Sequence, residues 1–292
     1  MSPEVSRAGP QLVFGDRTWL MGIVNVTSDS FSGDGLAQPG RSEGEIVSAA
    51  LEQARGFVAA GAEILDVGAE STRPASVYGE RTPVDPESEA ALAVPVVAAL
   101  ARELAGRALI SIDTSHGPVA RAALEAGAAI VNDVWGARRD AGTAEAAASA
   151  GAHLIVMHNQ EGASYPDGVV AAVIASLREA ADNAIRLGVP RERLLVDPGI
   201  GFGKATAQSL ELLHRLREIR EAVGLPLVVG TSRKRFIGEI LGGASVDERV
   251  EGTAASVALA IAGGADVVRV HDVAHIARTV RVADAIVRFH PR

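Results

Sequence analysis

Residues 21–35 read M-G-I-V-N-V-T-S-D-S-F-S-G-D-G, and this stretch predicts both the architecture of the fold and the place of its chemistry. The apolar run from Trp19 to Val26 is interrupted by a single polar amide, Asn25, and a loop dense in Ser, Gly and Asp follows it. That order is typical of a buried strand that carries one polar side chain at its carboxyl end and then opens into a hydrophilic flap. Barrels and doubly wound α/β sheets bind their ligands at this end of the strands. Asn25 therefore marks the predicted site.

The same unit of an apolar strand, a turn and a helix recurs along the chain. The strands are continuous apolar runs rather than alternating ones, which is typical of parallel strands that are covered on both faces. The predicted strands are 20–25, 64–67, 109–113, 130–132, 154–157, 194–197, 227–229 and 267–270. The predicted helices are 42–60, 86–104, 118–126, 143–150, 167–187, 206–223, 246–262 and 274–289.

Eight such units in 292 residues predict an α/β fold that is a single (β/α)8 TIM barrel. We see no linker that would divide the chain, so one domain is expected over 1–292, with a core of about 18–289. Residues 11–18 are expected to form a short N-terminal hairpin or cap.

The composition excludes several classes of function. A formal charge of −8 and a pI near 5.4 argue against binding to nucleic acid or to an anionic membrane, because no face of the protein can be broadly basic. The chain has no cysteine, which excludes disulfides, thiolate nucleophiles and cysteine-ligated metals. The N-terminus lacks an apolar signal region, and no apolar run is long enough to span a bilayer. We therefore expect a soluble, cytoplasmic protein.

Polar residues end every predicted strand. One such residue alone is as well explained as the cap of the helix that follows it. Eight strand ends that meet at one mouth predict a polar pocket instead. The residues are Asn25, Asp66, Asp113, Asn132, Asp133, His158, Asn159, Asp197, Thr231, Ser232, Arg269 and His271.

Cationic side chains follow the last two strands. The sequence G-T-S-R-K-R-F-I-G places Arg233, Lys234 and Arg235 directly after the seventh strand. Arg269 and His271 lie two residues apart on the eighth, so both side chains leave the same face. Barrels often bind phosphate after strands 7 and 8, and guanidinium groups match phosphate oxygens. The cluster predicts an anion site, although Arg233 and Arg235 are as well explained as solvated or helix-packed side chains.

Acidic and amide side chains predict the other half of the pocket. Asp113, Asn132 and Asp197 are expected to converge, and this set suits a flat heterocycle that shows both donors and acceptors. A guanidine-like edge, an N–H beside an NH₂, would pair with a carboxylate through two bonds. A carboxylate cage for a divalent metal is the alternative, and the nearby Lys and Arg residues oppose it.

The glycine-rich stretch V-D-P-G-I-G-F-G-K at 196–204 resembles a nucleotide loop only superficially. It lacks the G-x-x-x-x-G-K-[ST] spacing, and Pro198 prevents a helix from starting at once. We interpret it as a tight turn that lets a ligand approach the backbone while Asp197 points inward.

Eight motifs occur in one order along the chain: M-G-I-V-N-V-T-S-D-S-F-S, D-V-G-A-E-S-T-R-P, S-I-D-T, I-V-N-D-V-W-G, V-M-H-N, D-P-G-I-G-F-G-K, G-T-S-R-K-R-F-I-G and R-V-H-D-V. With these motifs the sequence from Leu20 to Ile286 resembles the dihydropteroate synthases, the folate-pathway enzymes that sulfonamides target. The resemblance implies a (β/α)8 barrel, commonly a homodimer. It also implies a transferase that joins 6-hydroxymethyl-7,8-dihydropterin pyrophosphate to p-aminobenzoate in an SN1-like reaction and releases pyrophosphate.

The resemblance also implies roles for individual residues. Those that would hold the pterin ring are Asp113, Asn132, Asp197 and Lys234. Those that would bind the pyrophosphate are Asn25, Arg269 and His271, with Mg²⁺ bridging its oxygens near Asn25. This division into a ring half and a phosphate half predicts that Arg269→Ala abolishes turnover and leaves the affinity for free pterin nearly intact.

Two loops would close over the site and help to form the p-aminobenzoate pocket. One is 27–35, with Phe31 and Asp34, and the other contains Thr72 and Arg73. The residues implied to line that pocket are Ser232, Lys234 and Phe202. The residues implied to be catalytic are Asn25, Arg73, Lys234, Arg269 and His271.

The first flap departs from the family pattern, because Ser28 replaces a proline and Gly33-Asp34-Gly35 replaces Asp-Gly-Gly. Loss of proline removes a fixed φ, which adds an entropic cost of about 0.5–1 kcal/mol when the loop becomes ordered. Two other functions stay open. One is a pterin-binding paralogue without synthase activity. The other is a methyltetrahydrofolate:corrinoid methyltransferase barrel, which would have little use for the phosphate cluster or the long flaps.

Overall fold

The computed structural model describes residues 12–27, 35–38, 40–70 and 84–289. Eight parallel strands form one sheet in the order β6-β5-β4-β3-β2-β1-β8-β7. An isolated parallel bridge between Val196 and Leu227 joins β6 to β7 and closes the barrel. The strands are β1 Trp19–Asn25, β2 Ile64–Gly68, β3 Leu109–Asp113, β4 Ile130–Asp133, β5 His153–Met157, β6 Leu194–Asp197, β7 Val228–Val229 and β8 Val267–Val270. The predicted (β/α)8 barrel is confirmed.

The helices lie outside the sheet and agree with the prediction in all but two places. They are α1 Glu43–Ala60, α2 Pro86–Glu103, α3 Gly117–Glu125, α4 Gly142–Ala150, α5 Val169–Arg186, α6 Thr206–His214, α7 Leu216–Val223, α8 Arg235–Ile240, α9 Val250–Ala262 and α10 Val273–Val287. The single helix predicted over 206–223 is wrong, because Arg215 adopts φ −103° and ψ 24° and separates α6 from α7. The short helix α8 was not predicted.

Of the two alternatives for the N-terminal segment, the structure has the cap. Residues 12–18 contain no strand. Leu12 and Phe14 pack against the apolar residues at the base of the barrel, and the indole Nε1 of Trp19 donates to the carbonyl of Val13 at 2.9 Å. The segment therefore covers the end of the barrel opposite the predicted site.

The barrel interior changes from apolar to polar within two residues along several strands. Side chains two residues apart on a strand share a face. Ile64, Ile130, Leu195 and Val267 belong to one buried apolar layer near the base. The residues two positions further along these strands are Asp66, Asn132, Asp197 and Arg269. A sealed apolar floor therefore lies directly below a polar layer, because the inward-facing positions change character at this level.

Across the described ranges of the chain, no helix is both long enough and apolar enough to cross a membrane.

Candidate active site

Arg269 lies at the centre of the polar layer and joins two buried aspartates. Its Nε is 2.6 Å from Oδ2 of Asp66, and its Nη2 is 2.7 Å from Oδ2 of Asp113. Asn132 donates from Nδ2 to the same oxygen of Asp66 at 2.9 Å. Asp66, Asp113 and Asn132 come from β2, β3 and β4, and all three are buried. Hydrogen bonds between ionised groups are short and strong, so the network orients each carboxylate.

The network leaves acceptors that a ligand can use. Burial raises the pKa of Asp113, and the guanidinium of Arg269 opposes that rise. Oδ1 of Asp113 and Oδ1 of Asp66 are buried, and neither has a hydrogen-bond partner within the part of the chain that the structure describes. A buried acceptor without a partner is costly, so these oxygens favour a ligand that brings N–H donors.

Asp197 lies at the end of β6 and begins the glycine-rich turn. Its Oδ1 accepts from the backbone N–H of Gly199 at 2.7 Å. Burial raises the pKa of Asp197, while Lys234, Arg269 and Lys204 act to lower it. The hydrogen bond from its own loop therefore orients the carboxylate, which fits the interpretation of this stretch as a tight turn around an inward-pointing acid.

The turn packs closely against the loop after β5, and two of its glycines allow that approach. Gly199 has φ +66°, and a Cβ there would lie 2.0 Å from the carbonyl oxygen of His158. Gly203 has φ +58°, and a Cβ there would lie 2.2 Å from the carbonyl oxygen of Gln160. Only glycine fits both the left-handed backbone and the contact.

Lys204 is buried beneath the same turn and holds it to the neighbouring loop. Its Nζ donates to the carbonyl of Phe202 at 2.8 Å and lies 2.8 Å from Nδ1 of His158. Burial lowers the pKa of Lys204 to about 7 and the pKa of His158 to about 3. Neutral His158 therefore offers a lone pair to Lys204. Lys204 ended a quoted motif, but the sequence analysis gave it no role.

The residues implied for the p-aminobenzoate pocket lie in two contacting pairs. Nζ of Lys234 is 3.9 Å from the ring centroid of Phe202, which is a cation–π contact between the loops after β7 and β6. The hydroxyl Oγ of Ser232 lies 3.1 Å from both the backbone N and the Nδ1 of His271. These pairs bring together the loops after strands 6, 7 and 8.

Arg233 and Arg235 lie outside the pocket network, in agreement with the structural alternative. Arg233 forms a two-bond ion pair with Asp272 at 2.9 and 2.6 Å. Arg235 is half-exposed and pairs with Glu239 one turn along α8 at 3.3 Å. Their charges are therefore engaged in ion pairs with neighbouring side chains.

Of the remaining predicted site residues, the structure describes one and leaves four outside its described ranges. Asn25 is half-buried at the carboxyl end of β1, where it pairs in register with Gly68. The predicted flap residues Phe31, Asp34, Thr72 and Arg73 lie outside the described residues.

The structure changes the division into a ring half and a phosphate half. Arg269, assigned by resemblance to pyrophosphate, bonds directly to Asp113, which was assigned to the pterin ring. Asp66 connects Arg269 to Asn132, a role that its place at a polar strand end does not predict. Its position two residues after Ile64 indicates that the side chain of Asp66 points into the barrel, and this was the signal that could have identified it. The two halves therefore share one hydrogen-bond network.

Comparisons with known proteins agree with this geometry. The family model described as "Pterin binding enzyme" matches residues 21–271. The chain is 38% identical to the dihydropteroate synthase of Bacillus subtilis over 275 residues, which cover 94% of this chain and 90% of that protein.

Solved structures show the same similarity in three dimensions. The dihydropteroate synthase of Clostridium difficile, crystallised in the presence of pteroic acid, has a TM-score of 0.86 and 39% identity and covers 96% of this chain and 100% of its own. The enzyme of Xanthomonas albilineans with 4-aminobenzoic acid has a TM-score of 0.83 and 38% identity. The match covers 94% of this chain and 95% of that chain. A polar layer with this network, on this barrel and in this sequence family, leads to one conclusion: the chain belongs to the dihydropteroate synthases of the pterin-binding enzyme family.

Proposed function

We propose that the protein is a cytoplasmic transferase that joins 6-hydroxymethyl-7,8-dihydropterin pyrophosphate to p-aminobenzoate and releases pyrophosphate. The observation that carries the proposal is the buried network of Asp66, Arg269, Asp113 and Asn132, which presents carboxylate acceptors on an apolar floor. The related enzymes crystallised with pteroic acid and with 4-aminobenzoic acid support both parts of the product.

Asp113, Asp197 and Asn132 would bind the pterin ring. The guanidine-like edge of a pterin shows N–H donors side by side, and a buried carboxylate accepts two such bonds in one plane. The amide of Asn132 offers a donor and an acceptor to neighbouring ring atoms. Lys234, which contacts Phe202, would complete this side of the pocket. The carboxylates also favour the positive charge that develops on the pterin when its leaving group departs.

Arg269, His271 and Asn25 would bind the pyrophosphate. In the reaction the C–O bond breaks, the electron pair leaves with pyrophosphate, and the methylene carbon becomes cationic. The amine of p-aminobenzoate then forms the new C–N bond and loses a proton. Arg269 and His271 project from the same face of β8 and its end, so their donors can meet oxygens on one leaving group.

The donor set beside the leaving group fits Mg²⁺. In phosphate sites this ion takes few protein ligands and completes its shell with phosphate oxygens and water. The amide oxygen of Asn25 is a suitable hard ligand at the end of β1. Asp66 and Asp113 are bonded to Arg269, so these residues form an ion-pair network rather than a carboxylate cage. Bound Mg²⁺ would neutralise charge on the pyrophosphate.

Ser232, Phe202 and Lys234 would line the p-aminobenzoate pocket. The ring of Phe202 offers an apolar face to the aromatic substrate, and the ammonium of Lys234 offers a charge for its carboxylate. We propose that the two flaps, with Phe31, Asp34, Thr72 and Arg73, close over both substrates. Closure would exclude the water that competes with the amine for the cationic carbon.

A direct assay tests this function and separates it from the alternatives. We expect purified protein with Mg²⁺, dihydropterin pyrophosphate and p-aminobenzoate to release one pyrophosphate for each dihydropteroate formed, and to stop when EDTA removes the metal. A sulfonamide is expected to compete with p-aminobenzoate. Tight pterin binding by calorimetry without product would identify a binding paralogue. Methyl transfer from methyltetrahydrofolate to a corrinoid would identify a methyltransferase.

We further propose that the protein is a homodimer. An apolar groove of about 640 Å³ lies between α6, α8 and α9, and Ile240, Leu241 and Leu259 beside it are 57%, 50% and 68% exposed. An exposed apolar surface of this kind is typical of an interface between copies. We expect sedimentation equilibrium to give a dimer and Leu259→Lys to give a monomer. Val13→Lys, at a similarly exposed apolar position (54%) on the N-terminal cap, is the matched control and is expected to leave the dimer intact. A monomeric wild-type protein would contradict this proposal.

A further inference from the structure

Three side chains of metal-ligand type meet beside the barrel mouth, outside the network of Arg269. Glu70 follows β2 by two residues, Glu89 lies in the first turn of α2, and His116 directly precedes α3. One ligand atom from each of the three lies within 4.8 Å of the other two. Nδ1 of His116 is 2.6 Å from Oε2 of Glu89. The barrel topology therefore brings together residues from three separate segments.

Glu89 shows that this cluster is more than a set of surface acids. Its side chain is fully buried, and its second oxygen, Oε1, is buried without a hydrogen-bond partner in the described ranges. A buried carboxylate oxygen without a partner is costly, and Glu70 adds a second negative charge nearby. Burial raises the pKa of Glu89, and the opposing contributions of His116 and Thr114 do not cancel that rise. A cation held between the two carboxylates would satisfy that oxygen and remove the repulsion.

We propose that Glu70, Glu89 and His116 bind a divalent transition-metal ion, with zinc as the type case. One imidazole and two carboxylates are a ligand set that suits zinc, and an imidazole is a poor ligand for magnesium. Three protein ligands leave a coordination position for water. The site is thus chemically distinct from the magnesium that would accompany pyrophosphate near Asn25.

The geometry needs only small movements to accept the ion. Ligand atoms about 2.0 Å from a tetrahedral zinc lie about 3.3 Å from one another. The pair formed by His116 and Glu89 would open slightly, and Glu70, which is half-buried, would move inward. The backbone around His116 is well held, because its N–H donates to Oγ1 of Thr114 at 3.1 Å and the next N–H, from Gly117, donates to Asp140 at 2.6 Å. The imidazole is therefore presented on a rigid turn.

The test uses metal-free protein without substrates, so its outcome does not depend on the catalytic proposal. We expect calorimetry to show one zinc ion bound per chain and an increase in Tm, with no competition from excess Mg²⁺. Co²⁺ in place of zinc is expected to give visible d–d absorption bands. His116→Ala and Glu70→Gln are each expected to weaken zinc binding at least ten-fold, and His116→Ala to change the Co²⁺ spectrum.

Glu87→Gln is the matched control. Glu87 lies two residues before Glu89 in the same helical turn but is exposed, so its loss is expected to leave zinc binding unchanged. The test does not require Glu89 to be replaced, since Glu70 and His116 are both partly exposed and their variants are expected to fold. Zinc binding that is absent from the wild-type protein, or unchanged in both His116→Ala and Glu70→Gln, would overturn the proposal and leave only an ion pair between His116 and Glu89.

Discussion

Arg269→Ala is expected to lower kcat/KM for dihydropterin pyrophosphate by about 10³-fold and to weaken binding of the free pterin by about ten-fold or more. Arg269 makes charge-assisted bonds of 2.6 Å to Asp66 and 2.7 Å to Asp113. Removing one donor that stabilises developing charge in a water-excluded site typically lowers kcat by about 10²–10³-fold, and here it also leaves two buried carboxylates without their cation. Turnover suffers most, because the same side chain would also contact the leaving group.

The effect on pterin binding follows from the carboxylates that remain. Without the guanidinium, Asp113 faces the like charge of Asp66, and it takes up a proton more readily because burial already raises its pKa. A protonated carboxyl donates a hydrogen bond where the guanidine-like edge of a pterin needs an acceptor. The network thus predicts a loss of pterin affinity, whereas two separate halves predict that pterin affinity survives the substitution.

Arg235→Ala is the matched control for this experiment. Arg235 follows the seventh strand of the barrel, is half-exposed and pairs with Glu239 on its own helix. Exposed pairs of this kind contribute about 0.2–1 kcal/mol, so kcat/KM is expected to change less than about two-fold. Steady-state kinetics and calorimetry with free pterin measure both effects. Pterin affinity that is unchanged in Arg269→Ala would show that the two halves act separately after all.

Gly199→Ala is expected to lower the free energy of unfolding by about 3 kcal/mol and to reduce activity. The new Cβ would lie 2.0 Å from the carbonyl oxygen of His158, and the residue has φ +66°. The left-handed backbone costs an alanine about 1–2 kcal/mol, and overpacking typically adds about 1–3 kcal/mol. The turn must move to relieve the clash, and the N–H of Gly199 that orients Asp197 moves with it.

Gly151→Ala separates the clash from the backbone strain. Gly151 has φ +62°, nearly the same as Gly199, but nothing lies within 4 Å of the position that its Cβ would take. This variant is expected to lose only about 1–2 kcal/mol and to keep full activity. Urea denaturation with both variants gives the comparison. Equal losses of unfolding free energy in the two variants would mean that the close contact between the two loops does not affect stability.

Much of the fold is readable from the sequence because parallel strands leave long apolar runs. Polar residues at the strand ends then identified the mouth of the barrel. The role of Asp66 could not be predicted, because it lies between Leu65 and Val67 inside such a run. That role depends on an ion pair with Arg269, 203 residues away. No local pattern carries that pairing.

Two differences in the helices have equally physical causes. The pattern of buried residues continues through the break at Arg215, since Leu212, Leu216 and Ile219 all face the core. Periodicity alone therefore predicts one helix across 206–223. Helix α8, at six residues, is too short to show a period at all. Tertiary packing determines both the break at Arg215 and the formation of α8, and the sequence contains no separate signal for either.

The closure of the barrel has a consequence for how the two substrates are received. β2, which carries Asp66, pairs with both neighbours over five residues. β7 has only two residues, and its contact with β6 is one isolated bridge. Segments with few backbone hydrogen bonds open more readily than densely paired ones. The seam between β6 and β7 supports Phe202 on one side and Ser232 with Lys234 on the other. Under the proposed assignment, the side of the pocket formed by Phe202, Ser232 and Lys234 would therefore yield more readily to a bulkier aromatic amine than the side that carries Asp66.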